Sequence, residues 1–504
     1  MRHKIIFSFS FCIVFLFSLA SATAQKKAVS DSCVKVLNNE IEDLKNDKDF
    51  KHVSWSVCVM AVKSGDLIAE YNSDITLIPA STMKVITTGA ALAILGKDFR
   101  FKTTLEYDGN IDVQGTLHGN LFIRGGGDPT LGCDRFDSTT TIPYIYKQWA
   151  KAIKAKGIKK IEGSVIGDAD IFEDVLTPPT WVWGDLGSYY GAGPCGLNIS
   201  ENAYMLVFKP SRRIGDSAVI DRTEPNMPYI QFDNRVTIAG SNTGENENTF
   251  SFPYSNYQLL VGTIPLYKKE FPVWGSMPDP SYYCAWSFSS MLNDSLKIPV
   301  TDKASTLRML RLVGTVKKTE RKIISTTLSP PLSDIIYKTN IYSINIYAEH
   351  LLKMMGYTRS GYGGTFSGIY AVVNYWKSKG VDLSGYQMND GSGLSPMDKV
   401  STRHFTEMLK AYTKEPTYQE LYNSLPVAGK SGSLGTSTFK KTFAENNLRA
   451  KSGYMTGVRS YIGYVNNKSG EQLCFAIIVN NYTCSASDMR VKLEKLMIKI
   501  AETK

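Results

Sequence analysis

The sequence predicts an α+β protein in which an antiparallel sheet flanked by helices is interrupted by a large, mostly β insertion. Three observations carry this prediction. A hairpin of strand-like segments at 55–62 and 67–71 feeds directly into a small and apolar helix starting near Ser81. Between about 100 and 325 that pattern gives way to short strand-like runs punctuated by glycines. From 332 onward helical periods return, and the chain closes with a hairpin at 460–480 and an amphipathic helix at 489–500. A chain of 504 residues that is 43% hydrophobic can bury more than one core, so two to four domains are expected.

The first residues read as a secretory signal, 1–24. Arg2 and Lys4 supply a positive start, 5–19 an apolar run, and Ala22-Thr23-Ala24 a cleavage site before Gln25. That run is short for a bilayer span, and no later stretch is long and apolar enough to cross one. The mature chain is therefore expected to be exported, periplasmic or extracytoplasmic, with no transmembrane span after signal removal. The net charge is +10. It is spread along the chain without Lys/Arg blocks, which favours a solvated basic surface and no nucleic-acid partner. Beyond Cys12 in the leader there are seven cysteines and no C-x-x-C. Export permits disulfides, while the odd count leaves at least one thiol unpaired or paired between chains. Five histidines without H-E-x-x-H give metal catalysis no support, and no cofactor is implied.

After a helix at 33–44 and the hairpin turned by Ser64-Gly65, Pro79 stands just before the Ser81 helix, where its fixed φ does no harm. Ser81 and Lys84 are three positions apart, so hydroxyl and amine share one helical face. A buried lysine can lower its pKa far enough to deprotonate a serine, which makes S-x-x-K a candidate nucleophile and base. In the glycine-rich region, Gly125-Gly126-Gly127-Asp128-Pro129 lacks the G-K-[ST] of a phosphate loop and reads as a structural turn. A helix-like 306–313 and the linker Ser329-Pro330-Pro331 close the region. Ser343-Ile344-Asn345 then opens an apolar helix, and Lys451-Ser452-Gly453 lies beside a strand-like run near the C-terminus. A second K-S-G at Lys430 sits in loop-like surroundings, so Lys451 is preferred.

S-x-x-K, S-x-N and K-S-G occur in the order that defines the penicillin-binding protein and class A β-lactamase set. Over nearly the whole mature chain the sequence resembles the class C low-molecular-mass penicillin-binding proteins, the D-alanyl-D-alanine carboxypeptidase/endopeptidases of peptidase family S13. Asn389-Asp390-Gly391-Ser392-Gly393-Leu394-Ser395 and Trp181-Val182-Trp183-Gly184-Asp185 look like further landmarks of that family. The resemblance implies a β-lactamase/transpeptidase-like domain from 25–99 and 326–504. It also implies an inserted domain from 100–205 and 290–325, and a nested β-rich domain at 206–289.

It further implies peptidoglycan stem peptides as substrates and β-lactam antibiotics as covalent inhibitors. Ser81 would be the nucleophile and Lys84 its base. Ser343 would relay protons, Asn345 would orient Lys84 and the substrate amide, and Lys451 would hold the relay. Ser452, Gly453 and Thr456 would bind substrate, and Asp168 and Phe172 from the insertion would lean over the cleft. Pro396 replaces an arginine of many relatives, which leaves the stem-peptide diamino acid open. Three other readings are weaker. A secreted serine β-lactamase of class A would need an E-x-x-L-N element, which is missing. A Ser-His-Asp hydrolase would need a G-x-S-x-G elbow, also missing. A catalytically decayed cell-wall-binding protein would not keep all five motif residues.

Overall fold

The computed structural model describes residues 35–504 except 212, 268, 317 and 318. The expected leader, 1–24, and Cys33 lie outside the described residues. Both chain ends build one five-stranded antiparallel sheet, ordered Arg449–Met455, Val458–Asn466, Gln472–Asn480, Ser54–Ala61, Leu67–Tyr71. The N-terminal hairpin joins the C-terminal strands through an unbroken register, Ser54 opposite Asn480 to Ala61 opposite Leu473. The apolar run of Gln472–Asn480 is explained by burial on both faces. Cys474, Ala476 and Ile478 point into a core shared with the helices Met83–Leu95, Asn345–Ser360 and Thr402–Tyr412. Leu473, Phe475, Ile477 and Val479 point the other way, onto the terminal helix Ala486–Glu502 and the helix at 35–45. Alternation along a strand makes this division automatic.

The insertion leaves and returns through neighbouring strands. Lys102–Tyr107 pairs antiparallel with Lys322–Leu328, Lys102 opposite Leu328, in a second five-stranded sheet. Phe101 and Ser329 close the seam: each backbone N–H bonds across it, and the Ser329 hydroxyl accepts from Phe101 N at 2.9 Å. The junction therefore falls three residues past the expected 326, because strand pairing holds 326–328 in the insert sheet. Two three-stranded sheets follow between Ala203 and Ser276. The helix Pro280–Asp294, expected with the nested domain up to 289, instead packs on the Val165–Asp168 strand of the insert sheet. One apolar core, from Leu105 to Ile298, runs continuously through these layers.

Cys58, Cys133, Cys195, Cys284 and Cys474 are buried free thiols and Cys484 is a half-buried one. Among the described residues no helix is long and apolar enough to cross a membrane.

Trp149 anchors the insert core. It is fully buried, packs against Tyr146 and Phe288, and donates its Nε1–H to Thr327 Oγ1 at 2.9 Å, tying the helix Ile142–Ala155 to the returning strand. Trp149→Ala is expected to destabilise the insertion by about 3–5 kcal/mol. Denaturant unfolding followed by aromatic circular dichroism checks this.

Candidate active site

Ser81 lies in a tight helical turn, Ala80–Thr82, that runs straight into the α-helix Met83–Leu95. The turn is pinned to the sheet. Both Thr82 Oγ1 and Ser460 Oγ donate to the Pro79 carbonyl, the first at 2.7 Å. Small residues allow the close approach. A Cβ on Gly453 would lie 2.6 Å from Pro79 O, and one on Gly393, whose φ is +77°, 1.9 Å from Ala80 O. The strand Arg449–Met455 and the loop at 389–398 thus press on the Ser81 turn from two sides.

Lys84 is 0% exposed, and its Nζ has three partners. Ser81 Oγ lies at 3.0 Å, Asn345 Oδ1 at 2.5 Å and the Ser392 carbonyl oxygen at 2.8 Å. Burial lowers its pKa to about 7, against the pull of Asp390 and Glu349. A neutral amine has two N–H donors and one lone pair. Asn345 Oδ1 and the Ser392 carbonyl can only accept, so they take the two hydrogens. The lone pair is left for the Ser81 hydroxyl. The Asn345 amide is oriented for this, because its Nδ2 donates to the Tyr190 carbonyl at 2.8 Å. Tyr190 comes from the insertion.

Lys451 is also buried, and its Nζ donates to Ser343 Oγ at 2.8 Å and to the Ser452 carbonyl at 2.7 Å. Burial drives its pKa well below the usual lysine range, with Lys84 and Arg459 adding repulsion. Ser343 stands in the left-handed region at φ +59°, ending the helix Leu332–Tyr342 just before Asn345 begins the next. That break lets Ser343 and Asn345 face different lysines. The Ser343 hydroxyl is held by Lys451, whereas Asn345 holds Lys84. Ser452 Oγ donates to Ser433 Oγ at 2.6 Å. Arg449–Met455 is the outer strand of its sheet, and Ala450 N–H already points outward to the Pro426 carbonyl at 3.0 Å. The two-residue strand period turns the N–H groups of Ser452 and Tyr454 to that same free edge.

The five motif side chains thus form two hydrogen-bonded groups around one buried pair of lysines. The substrate candidates divide. Gly453 packs on the Ser81 turn, Ser452 stands beside it, and Thr456 is exposed in the hairpin turn with Gly457. Lys430, of the second K-S-G, is exposed, although Ser433 just beyond it reaches Ser452. Asp168 and Phe172 do not lean over this cleft. Asp168 is buried in the insert sheet and accepts from Arg321 at 2.6 Å. Phe172 is only 3% exposed and packs beside His350, so it offers no face to a substrate. Phe172 is consumed by the seating of the insertion on the helix Asn345–Ser360, whereas Asp168 is engaged inside the insertion by Arg321 and the Asp170 N–H. Pro396 is half-buried in the 389–398 loop.

Sequence reasoning missed the residues that support Lys84. Glu349, fully buried, accepts from Gly391 N at 3.0 Å and Ser392 N at 2.7 Å, which aims the Ser392 carbonyl at Lys84. Burial and the adjacent Asp390 push its carboxyl above the usual range. Asp390 accepts from Gly393 N, Ser395 N and Trp181 Nε1 at 2.7–2.8 Å, so the insertion also braces this loop. The spacing from Asn345 to Glu349, one helical turn on a single face, was the available signal.

The family described as D-Ala-D-Ala carboxypeptidase 3 (S13) matches residues 37–503 of the chain. Among curated proteins, the chain is 26% identical over 442 residues to the D-alanyl-D-alanine carboxypeptidase DacB of Haemophilus influenzae, covering 86% of this chain and 87% of that protein. It is also 26% identical over 477 residues to a D-alanyl-D-alanine carboxypeptidase of Actinomadura sp., covering 92% and 85%. Penicillin-binding protein 4 of Haemophilus influenzae shares the fold, with a TM-score of 0.78 at 24% identity over 92% of this chain and 99% of that one.

Replacing Glu349 with Leu removes the oxygens that accept from the Gly391 and Ser392 N–H groups. An unsatisfied buried pair of this kind costs about 1–3 kcal/mol. Acylation by a penicillin is expected to slow by about tenfold or more with far-ultraviolet circular dichroism unchanged, read by stopped-flow or gel-based labelling.

Proposed function

Because this chain belongs to the S13 family of D-Ala-D-Ala carboxypeptidases, we propose that it is a serine-type carboxypeptidase that trims peptidoglycan stem peptides through a Ser81 ester. The observation that carries the reading is the buried amine of Lys84, whose Nζ lies 3.0 Å from Ser81 Oγ and donates to Asn345 Oδ1 and the Ser392 carbonyl. Ser81 Oγ attacks the carbonyl carbon of the penultimate D-Ala while Lys84 takes its proton. The N–H groups of Ser81 and Tyr454 receive the charge that develops on the carbonyl oxygen. One such donor is worth about 10²–10³ in rate. The substrate backbone lies along the free edge of Arg449–Met455 as an added strand.

When the C–N bond breaks, the departing nitrogen takes a proton relayed by Ser343 from the buried lysines, and free D-Ala leaves. Water then attacks the ester, returning its proton to the same relay and restoring Ser81. Ser452 and Lys451 hold the terminal carboxylate. A β-lactam opens the same way, but its amine stays tethered to the acyl group. The tethered amine stays in the site and blocks the entry of water, which leaves Ser81 covalently occupied. A cross-linked dimer differs only in the size of the leaving amine, so the same steps give endopeptidase activity where the cleft admits it. The leader, 1–24, carries the chain out of the cytoplasm to this substrate, and both chain ends form the catalytic unit that the insertion covers.

Two results test the reading. A fluorescent penicillin is expected to label the protein covalently, and Ser81→Ala to abolish both that label and the release of D-Ala from muropeptide pentapeptide, followed by mass. Retained labelling in Ser81→Ala would refute the assignment. The pH profile supplies a second check. A lysine held at about 7 is protonated below that pH and carries a free lone pair above it. The acylation rate should therefore rise through about pH 7 and then level off, and Lys84→Arg, protonated throughout, should lose this limb.

A further inference from the structure

We propose that Trp183 and Phe252 form a saccharide subsite that stacks against the pyranose rings of the glycan strand bearing the stem peptide. This rests on the reading of the substrate as peptidoglycan. Both side chains are large, aromatic and exposed, by 50% and 57%. Leaving such rings in water forgoes burial that would stabilise the fold, and a cluster of them on a surface marks a binding face. Their geometry selects the kind of partner. The Trp183 and Phe252 rings lie nearly parallel, 15° apart with centroids at 6.0 Å, and Phe250 supports Trp183 at 4.6 Å.

The rings are bordered by hydrogen-bonding groups. Asp185 sits in the same short helical turn as Trp183 and accepts from Tyr190 Oη at 3.1 Å. A pyranose ring has the matching design, C–H bonds on its flat face and hydroxyls around its rim. An apolar protein surface or lipid would leave Asp185 desolvated and unmatched.

The platform is continuous with the catalytic centre. Tyr190, whose hydroxyl meets Asp185, gives its carbonyl to the Asn345 amide that orients Lys84. Trp181, two residues before Trp183, is tied to Asp390 at 2.7 Å. On the far side, the Gly187 carbonyl accepts from Ser276 N at 2.8 Å. The segment is thus fixed at both ends before any ligand arrives, so little ordering entropy opposes binding. A stem peptide lying in the crevice would place its sugar attachment outside, where these rings begin.

The test compares the full-length protein with Trp183→Ala/Phe252→Ala on two substrates, a disaccharide-linked pentapeptide and the free pentapeptide. The ratio of kcat/KM for the glycan-linked over the free substrate is expected to fall at least fivefold. Binding is read separately with a tetramer of N-acetylglucosamine, which should quench tryptophan fluorescence in the wild type and lose most of that quenching in Trp183→Phe. An unchanged ratio together with unchanged quenching overturns the proposal. So does a double variant that alters the sedimentation of the chain, since the face would then be a contact between copies. If the wild type cleaves neither substrate yet the sugar tetramer still quenches through Trp183, the subsite stands and the carboxypeptidase reading falls.

Discussion

The structure depends on keeping one amine both buried and uncharged. An isolated ammonium inside a protein is costly unless paired, and a lysine meets that cost most readily by giving up its proton. Among the described residues Lys84 has no direct carboxylate partner. Its contacts are a hydroxyl, an amide oxygen and a peptide carbonyl, groups that suit a neutral amine as well as a cation. Glu349 and Asp390 stand one shell further out, close enough to keep the pKa near neutrality and too far to fix the proton in place.

Most of the surrounding architecture serves that arrangement. The nucleophile turn must approach the sheet edge closely, which is why Ala80, Gly393 and Gly453 carry little or no side chain where they meet. The left-handed Ser343 separates two helices and so presents its own hydroxyl to Lys451 and the Asn345 amide to Lys84. Two lysines with lowered pKa values would repel if both were charged. Their separation onto different partners lets one act on Ser81 while the other supports the Ser343 hydroxyl.

The insertion is more than a passenger on this site. It leaves at Phe101, returns at Ser329 and reaches back through 181–190 to grip both the Asn345 amide and the Asp390 loop. A rearrangement in the insertion therefore acts directly on the amide that holds Lys84. Placing Phe172 in the contact with His350 and Gly363 has the same consequence: it helps to determine where the insertion sits, and through it the position of Tyr190.

The chain's own letters determined the helix that follows Ser81, the hairpins and the grouping of Ser81, Lys84, Ser343, Asn345 and Lys451 around one buried pair of lysines. Helical spacing and strand alternation are short-range rules, and each motif lies within a few residues. The exposed surroundings of Lys430 against the strand of Lys451 were legible for the same reason. What only the tertiary structure decided is which distant groups meet. Glu349 and Asp390 are ordinary acids in sequence, and Tyr190 contributes a backbone carbonyl, which no residue type announces. Asp168 and Phe172 could be read as cleft residues until packing showed them spent elsewhere. The protonation of Lys84 follows from burial by segments up to 308 positions away, and burial is a property of the folded chain alone.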